Sequence, residues 1–220
     1  MRIIRLSLQT VNIHHYLGED DECGYMYEYT PFRHTNGLTW NFSQGNRFIT
    51  NLKKKPNTRG TNQWQHKVRA MRLATKLISE LIPDEWHRVV TYVPIPPSKA
   101  SDHPEYDERM STVLNGIQKE FPIDVRNLIR QTQSTAASHE QGARRLRPDE
   151  LRNIYTIDHE LIHPTPTTIM IVDDVLSMGS HFRAAKDLLS EHFPQAHIMG
   201  LFLARTVIPE QYMDQYQGPI

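Results

Sequence analysis

Between residues 64 and 204, short apolar, β-branched runs alternate with segments of helical period, and proline closes most of them. RVVTYVPI at 88–95, IDVRNLI at 123–129, TTIMIV at 167–172 and HIMGLFLA at 197–204 read as buried strands. Between them, three sets of apolar residues fall on single helical faces. The first is Trp64, Val68, Met71, Ala74, Ile78 and Leu81, after a cap at Thr61 or Asn62 and before Pro83. The second is Tyr106, Met110, Val113, Leu114, Ile117 and Phe121, closed by Pro122; the third is Phe182, Ala185, Leu188, Leu189 and Phe193, closed by Pro194. Strands alternating with helices of this length predict βαβ units with right-handed crossovers, hence an α/β fold with a mainly parallel central sheet flanked by helices. In such sheets ligands sit at the carboxyl ends of the strands, near a topological switch point.

The 220 residues suffice for one such core with an appended lobe. Residues 1–60 are irregular, with alternating and aromatic-rich pieces that predict strands and loops in a small N-terminal hood. The core is expected over 61–206 and a tail over 207–220. The polar stretch at 131–151 lies between two strands, where a functional loop would be placed. Lysine plus arginine and aspartate plus glutamate each number 25, so no global field favours nucleic acid or an anionic membrane. Cys23 is the one cysteine, which rules out an internal disulfide and a multi-cysteine zinc site and fits a reducing cytoplasm. His14 and His15 are adjacent and would point apart in a strand, so no structural zinc is expected. No window reaches the roughly 18 apolar residues of a membrane span.

The segment TTIMIVDDVLSMGSHF at 167–182 carries the chemistry. Asp173 and Asp174 follow directly on an apolar run, at the expected carboxyl end of a central strand, where side chains project into a ligand crevice. Ser177, Met178, Gly179, Ser180 and His181 then form a turn into a helix expected to begin near Phe182. Backbone N–H groups at that helix start make a cradle for phosphate, and the carboxylates can accept hydrogen bonds from sugar hydroxyls. The same residues are also read more plainly: an Asp-Asp pair can simply end a strand, and Ser180 can be only an N-cap.

IMIVDDVLSMGS resembles the phosphoribosyl pyrophosphate (PRPP) signature of the type I phosphoribosyltransferases. VPIPPSK at 93–99 is similar to the pyrophosphate-side loop of their ComF-type, amidophosphoribosyltransferase-like branch. RQTQSTAASHEQGARRLRPDELRNIY at 130–155 resembles a further loop of that branch, and LFLART at 201–206 its final strand. The resemblance covers residues 88–206 and implies a type I phosphoribosyltransferase-like fold without the N-terminal zinc module. It implies that Asp173 and Asp174 contact the ribose hydroxyls and that residues 177–181 bind the 5′-phosphate. It further implies that Ser98 and Lys99 lie beside the pyrophosphate, with Mg²⁺ reaching the site through PRPP rather than through direct protein ligands. The implied activity is Mg²⁺-dependent transfer of a phosphoribosyl group to a nitrogen acceptor. The altered turn and the missing zinc module keep a second reading open, a catalytically weak PRPP- or nucleotide-binding module of the same fold. Expected partners are PRPP and a small-molecule acceptor, with a homodimer left open.

Several residues keep two readings. Asp107 and Arg109 either reach the pyrophosphate side or form a local ion pair. Arg144, Arg145 and Arg147 either close a lid or sit as exposed charges at a helix start. Tyr25, Tyr27, Tyr29, Phe32 and Trp40 either stack on an acceptor base or build a small β core. The basic run of Lys53, Lys54 and Lys55 with Arg59 reads as a solvated turn rather than a phosphodiester track.

Overall fold

The computed structural model describes residues 1–6, 13–119, 121–135 and 146–215. In chain order the strands among them are β1 (Ile4–Arg5), β2 (Cys23–Tyr29), β3 (Thr91–Pro94), β4 (Asp124–Val125), β5 (Ile129–Gln131), β6 (Tyr155–Ile157), β7 (Thr168–Leu176) and β8 (His197–Thr206). The α-helices are α1 (Gln44–Leu52), α2 (Asn62–Leu81), α3 (Asp84–His87), α4 (Arg109–Gln118), α5 (Pro148–Arg152) and α6 (Ser180–His192). Six strands form one sheet in the order β1-β2-β8-β7-β3-β4, while β5 and β6 make a separate antiparallel pair. All neighbours in the large sheet are parallel except β1, which runs antiparallel to β2. The N-terminal segment read as a hood thus contributes two strands to the main sheet and α1 to its face. No helix among the described residues is long and apolar enough to cross a membrane.

Strand alternation divides the core into two layers. Met170 and Val172 of β7 and Leu201 and Leu203 of β8 pack with Phe48, Ile49 and Leu52 of α1, Ala74 and Ile78 of α2, and Val113, Leu114 and Ile117 of α4. On the other face Ile169 and Ile171 pack with Phe182, Ala185, Leu188 and Leu189 of α6, with Leu151 of α5, and with the β5–β6 pair. The crossover from β3 through α4 therefore covers one face and that from β7 through α6 the other. From β3 the chain steps to β4 on one flank; from β7 it steps to β8 on the opposite flank. The switch point lies between β3 and β7, and two right-handed crossovers moving in opposite directions must occupy opposite faces.

The expected strand at 123–129 is divided. Asp124 and Val125 pair with β3, whereas Ile129 begins the pairing with β6. Arg126 sits at the break, nearly buried, and donates to the carbonyl oxygens of Leu161 (3.0 Å) and Pro164 (2.6 Å), outside the sheet. Helix α1, which the irregular reading of 1–60 does not anticipate, starts at Ser43, whose hydroxyl accepts the Asn46 N–H at 3.0 Å. Its Gly45 lies against β2: a Cβ there would come within 2.0 Å of the Glu28 carbonyl oxygen.

Because that obstacle is backbone, Gly45→Ala can be accommodated only by moving α1 off the sheet. It is expected to cost about 3 kcal/mol, read as a lowered urea-unfolding midpoint with unchanged slope.

Candidate functional site

At the switch point β3 stays paired to β7 only as far as the Ile95 N–H, which donates to the Val172 carbonyl at 2.9 Å. On its other side β7 remains paired with β8 through Leu176. Asp173 and Asp174 therefore do not end the strand, as the sequence suggests. They sit where β7 has lost one neighbour and kept the other, so the crevice opens on the β3 side. Ser180 is already helical, which places the start of α6 two residues before the expected Phe182.

Successive side chains on a strand leave on opposite faces, and the two acids do so. Asp174, 3% exposed, meets Arg109 at the start of α4: Arg109 Nε donates to Asp174 Oδ2 at 2.7 Å, and Nη2 donates to the same oxygen. Lys53, just past the end of α1, reaches Asp174 Oδ1 at 3.1 Å. Arg109 Nη1 also donates to Asp107 Oδ2 at 2.7 Å. Asp107 in turn takes the ammonium of the buried Lys67 at 2.7 Å. The local ion pair read for Asp107 and Arg109 is present, and Arg109 simultaneously reaches the acidic pair. Lys53 is the functional candidate that sequence reasoning missed. Its neighbours Lys54 and Lys55 bond Gln63 and Glu105, and Arg59 stacks over Trp64 at 5.2 Å, as a solvated turn would.

Asp173, half-buried, lies on the side of the β5–β6 pair, and its Oδ1 accepts the Asp174 N–H at 2.7 Å. Burial and the charge of Asp174 push its carboxyl up to about 7. Burial would raise Asp174 as well, but the Arg109 guanidinium and then Lys53 outweigh it and hold that carboxyl well below the usual carboxylate range. Tyr155 of β6 stands near Asp173; burial and that carboxylate raise its phenol well above the ordinary value. Its hydroxyl hydrogen-bonds His181 Nδ1 at 2.6 Å, so the first turn of α6 is tied to the β5–β6 pair.

The turn itself is braced by residues 14–17. His14 Nδ1 bonds the Ser177 carbonyl, and the Tyr16 N–H donates to the Met178 carbonyl at 3.0 Å. Burial lowers His14 to about 4, so the ring is neutral at physiological pH and Nδ1 carries the hydrogen. Met178 is buried. Gly179 has φ +91°, the left-handed region that favours glycine, and a Cβ there would press on Leu17 at 3.1 Å. These contacts engage the turn's carbonyl oxygens, while the N–H groups of the first turn of α6 lack intrahelical partners by geometry. The cradle expected at 177–181 is thus framed by residues 14–17 on one side and by Tyr155 on the other.

The pyrophosphate-side residues are tied to the following loop. Lys99 Nζ donates to the Thr135 carbonyl at 3.0 Å, and the Ser98 carbonyl accepts from Gln131 Nε2 (2.8 Å) and the Thr135 N–H (2.7 Å). The structure brings Arg109 to the acids, whereas the Lys99 ammonium faces the loop. Arg144 and Arg145 lie outside the described residues. Arg147 marks a helix start: its N–H is capped by Glu150 at 2.9 Å and its side chain pairs with Asp149. Tyr25 and Tyr27 are core residues, and Phe32 and Trp40 are exposed. The tail folds back, with Tyr212 bonded to Asn36 and its ring 4.9 Å from that of His34. A 620 Å³ groove between α2 and α4, lined by Met71, Thr75, Thr112 and Gly116 among others, shares no residue with the acids. Among the described residues no group of three or more His, Cys, Asp or Glu could hold a metal ion.

A scan against protein-family models and a search of curated proteins find no match to this chain.

The split between the acids has a pH signature. Asp173 binds a proton more tightly folded than unfolded, so its contribution to stability is present below about pH 4 and is lost as pH rises through about 7. Asparagine mimics the neutral acid and escapes that loss. Asp173→Asn is therefore expected to gain thermal stability over the wild type on going from pH 5 to pH 8; paired melting curves that stay parallel across that window would refute the assignment.

Proposed function

We propose that the chain is a phosphoribosyltransferase: it binds PRPP with Mg²⁺ at the β3–β7 switch point, transfers the phosphoribosyl group to a nitrogen acceptor and releases pyrophosphate. The reading rests on one juxtaposition. Two carboxylates and a left-handed glycine turn into a helix N-terminus follow one another on the single strand whose β3 neighbour has just departed. Phosphate on that turn and ribose hydroxyls on the acids would use groups already in place.

The reaction passes through an oxocarbenium-like state at the ribose C1, akin to glycoside cleavage. The chain's part is to hold the 5′-phosphate on the N–H groups of residues 177–181 and to accept ribose hydroxyls at Asp173 and Asp174. Arg109 meets the departing pyrophosphate, while the Lys99 ammonium and the Ser98 carbonyl, expected beside it, are bonded to the following loop. Phe32 and Trp40 offer exposed aromatic faces beyond the carboxyl end of β2 for an acceptor base. Mg²⁺ favours oxygen ligands, keeps several waters and commonly arrives on substrate phosphates. With Asp174 engaged by two cations and only Asp173 beside it, the residues fit a cation carried by the pyrophosphate and not one caged by protein. When bound, it would neutralise charge on the leaving group.

One observation favours a second reading, a regulatory module that binds PRPP or a nucleotide without efficient turnover: both oxygens of Asp174 are taken by Arg109 and Lys53.

The test is isothermal titration with PRPP and Mg²⁺, repeated on Asp173→Asn/Asp174→Asn with folding confirmed by circular dichroism. The double variant is expected to bind about tenfold to a hundredfold more weakly, the loss of one or two charge-assisted hydrogen bonds. Heat from the wild type that the variant reproduces unchanged would remove both readings. Pyrophosphate release in the presence of nitrogen nucleophiles then separates enzyme from module: Asp174→Asn abolishes turnover in the first and only weakens binding in the second.

A further inference from the structure

The cations around Asp174 are concentrated on one acid of the pair. Among the described residues Lys53 and Arg109 pair with Asp174, Arg109 and Lys67 pair with Asp107, and neither Lys53 nor Arg109 bonds the adjacent Asp173. These charges are also unequally reachable. The Asp174 side chain is 4% exposed, while those of Lys53 and Arg109 are 27% and 21% exposed, so an incoming ligand meets the cations before the acid.

Lys67 is not part of that reachable surface. Its three N–H donors are spent on the Leu52 carbonyl (2.9 Å), the Lys54 carbonyl (2.7 Å) and Asp107 Oδ2 (2.7 Å). Those partners are the residues on either side of Lys53 and the carboxylate that steadies Arg109. One buried ammonium therefore fixes both cations that hold Asp174. Among the described residues Lys53 pairs with Asp174. The Arg109 fork, aimed at a single carboxylate oxygen through two of its nitrogens, matches a phosphate oxygen equally well.

We propose that Lys53 and Arg109 form a grip for an anion of the pyrophosphate class, which Asp174 occupies here, and that ligand binding is an exchange. The polyphosphate takes the two cations and releases the Asp174 carboxylate toward the ribose hydroxyls. The proposal rests on the phosphoribosyl reading of this site and adds Lys53 to it, together with an order of events. A multiply charged anion outcompetes one carboxylate for the same two cations because its Coulomb attraction is larger at the same separation. An acid held in reserve beneath its own counter-ions is exposed only when the phosphates are seated.

The exchange predicts an inverted sign. Asp174→Asn, which should weaken PRPP binding with Mg²⁺, should tighten the binding of inorganic pyrophosphate in metal-free buffer by about fivefold or more, because the competing carboxylate is gone. Lys53→Met should weaken the same binding by about tenfold. Each variant is first checked by circular dichroism and thermal melting. If Asp174→Asn does not fold, Lys53→Met decides alone, and an unchanged pyrophosphate affinity there overturns the grip. Weaker or equal pyrophosphate binding by a folded Asp174→Asn overturns the exchange, even where PRPP with Mg²⁺ binds the wild type as the functional reading requires. Tighter pyrophosphate binding in Asp174→Asn without any PRPP binding by the wild type would retain the exchange and remove that reading. A wild type that binds neither removes both.

Discussion

A carboxylate buried as deeply as Asp174 stays ionised only if cations come to it, and the layer that includes α1, α2 and α4 is arranged around that need. Arg109 opens α4, Lys53 follows α1, and Lys67 projects from α2 to hold both in register through Asp107 and the carbonyls that flank Lys53. Breaking one member leaves another charge buried without compensation, which costs far more than any surface ion pair contributes. The helical layer on this face is therefore fastened to the carboxyl end of β7 by charge as well as by its apolar contacts. In this arrangement α1 and α4 each bring a cation that favours the ionised form of Asp174.

The opposite face treats its acid in the reverse way. Asp173 is not bonded by Arg109 or Lys53, which act on it only from Asp174; burial and the negative charge of Asp174 raise it, and the Tyr155–His181 hydrogen bond lies close by. Two adjacent carboxylates are pushed apart in proton affinity because β-strand alternation delivers them to different surroundings. On the turn that follows, His14 and Tyr16 engage the carbonyl oxygens of Ser177 and Met178, so the carbonyl side of the turn is bonded within the chain.

What the sequence discloses about this arrangement follows from where its information is local. The faces of α2, α4 and α6 and the runs of β7 and β8 are legible because period 3.6 and continuous β-branched runs are properties of neighbours along the chain. The acids and the glycine turn are legible for the same reason. Helix α1 is concealed by its polar, short and glycine-containing sequence, although Ser43 before Phe48, Ile49 and Leu52 is a cap followed by an apolar face. The division of 123–129 depends on Arg126 finding carbonyl oxygens more than thirty residues away. Lys53 is indistinguishable in sequence from Lys54 and Lys55, and only the partner it meets across the fold sets it apart. The continuation of β7 past the acids depends on β8 running alongside to Arg205, another pairing that no local pattern states.

The two acids also explain why the site belongs at the switch point and not elsewhere along this edge. At β8 both neighbouring strands continue, so side chains at its end stay enclosed by β2 and β7. At β7 the departure of β3 frees one flank, and the opposite crossovers place a different helical layer on each face. A ligand seated there touches Asp174 and its cations on one face, and Asp173, Tyr155 and the α6 turn on the other. On the proposed reading, an anion grip, a hydroxyl acceptor and a second anion cradle would come within one short span where those two layers meet. That convergence is set by topology first and by residue identity second.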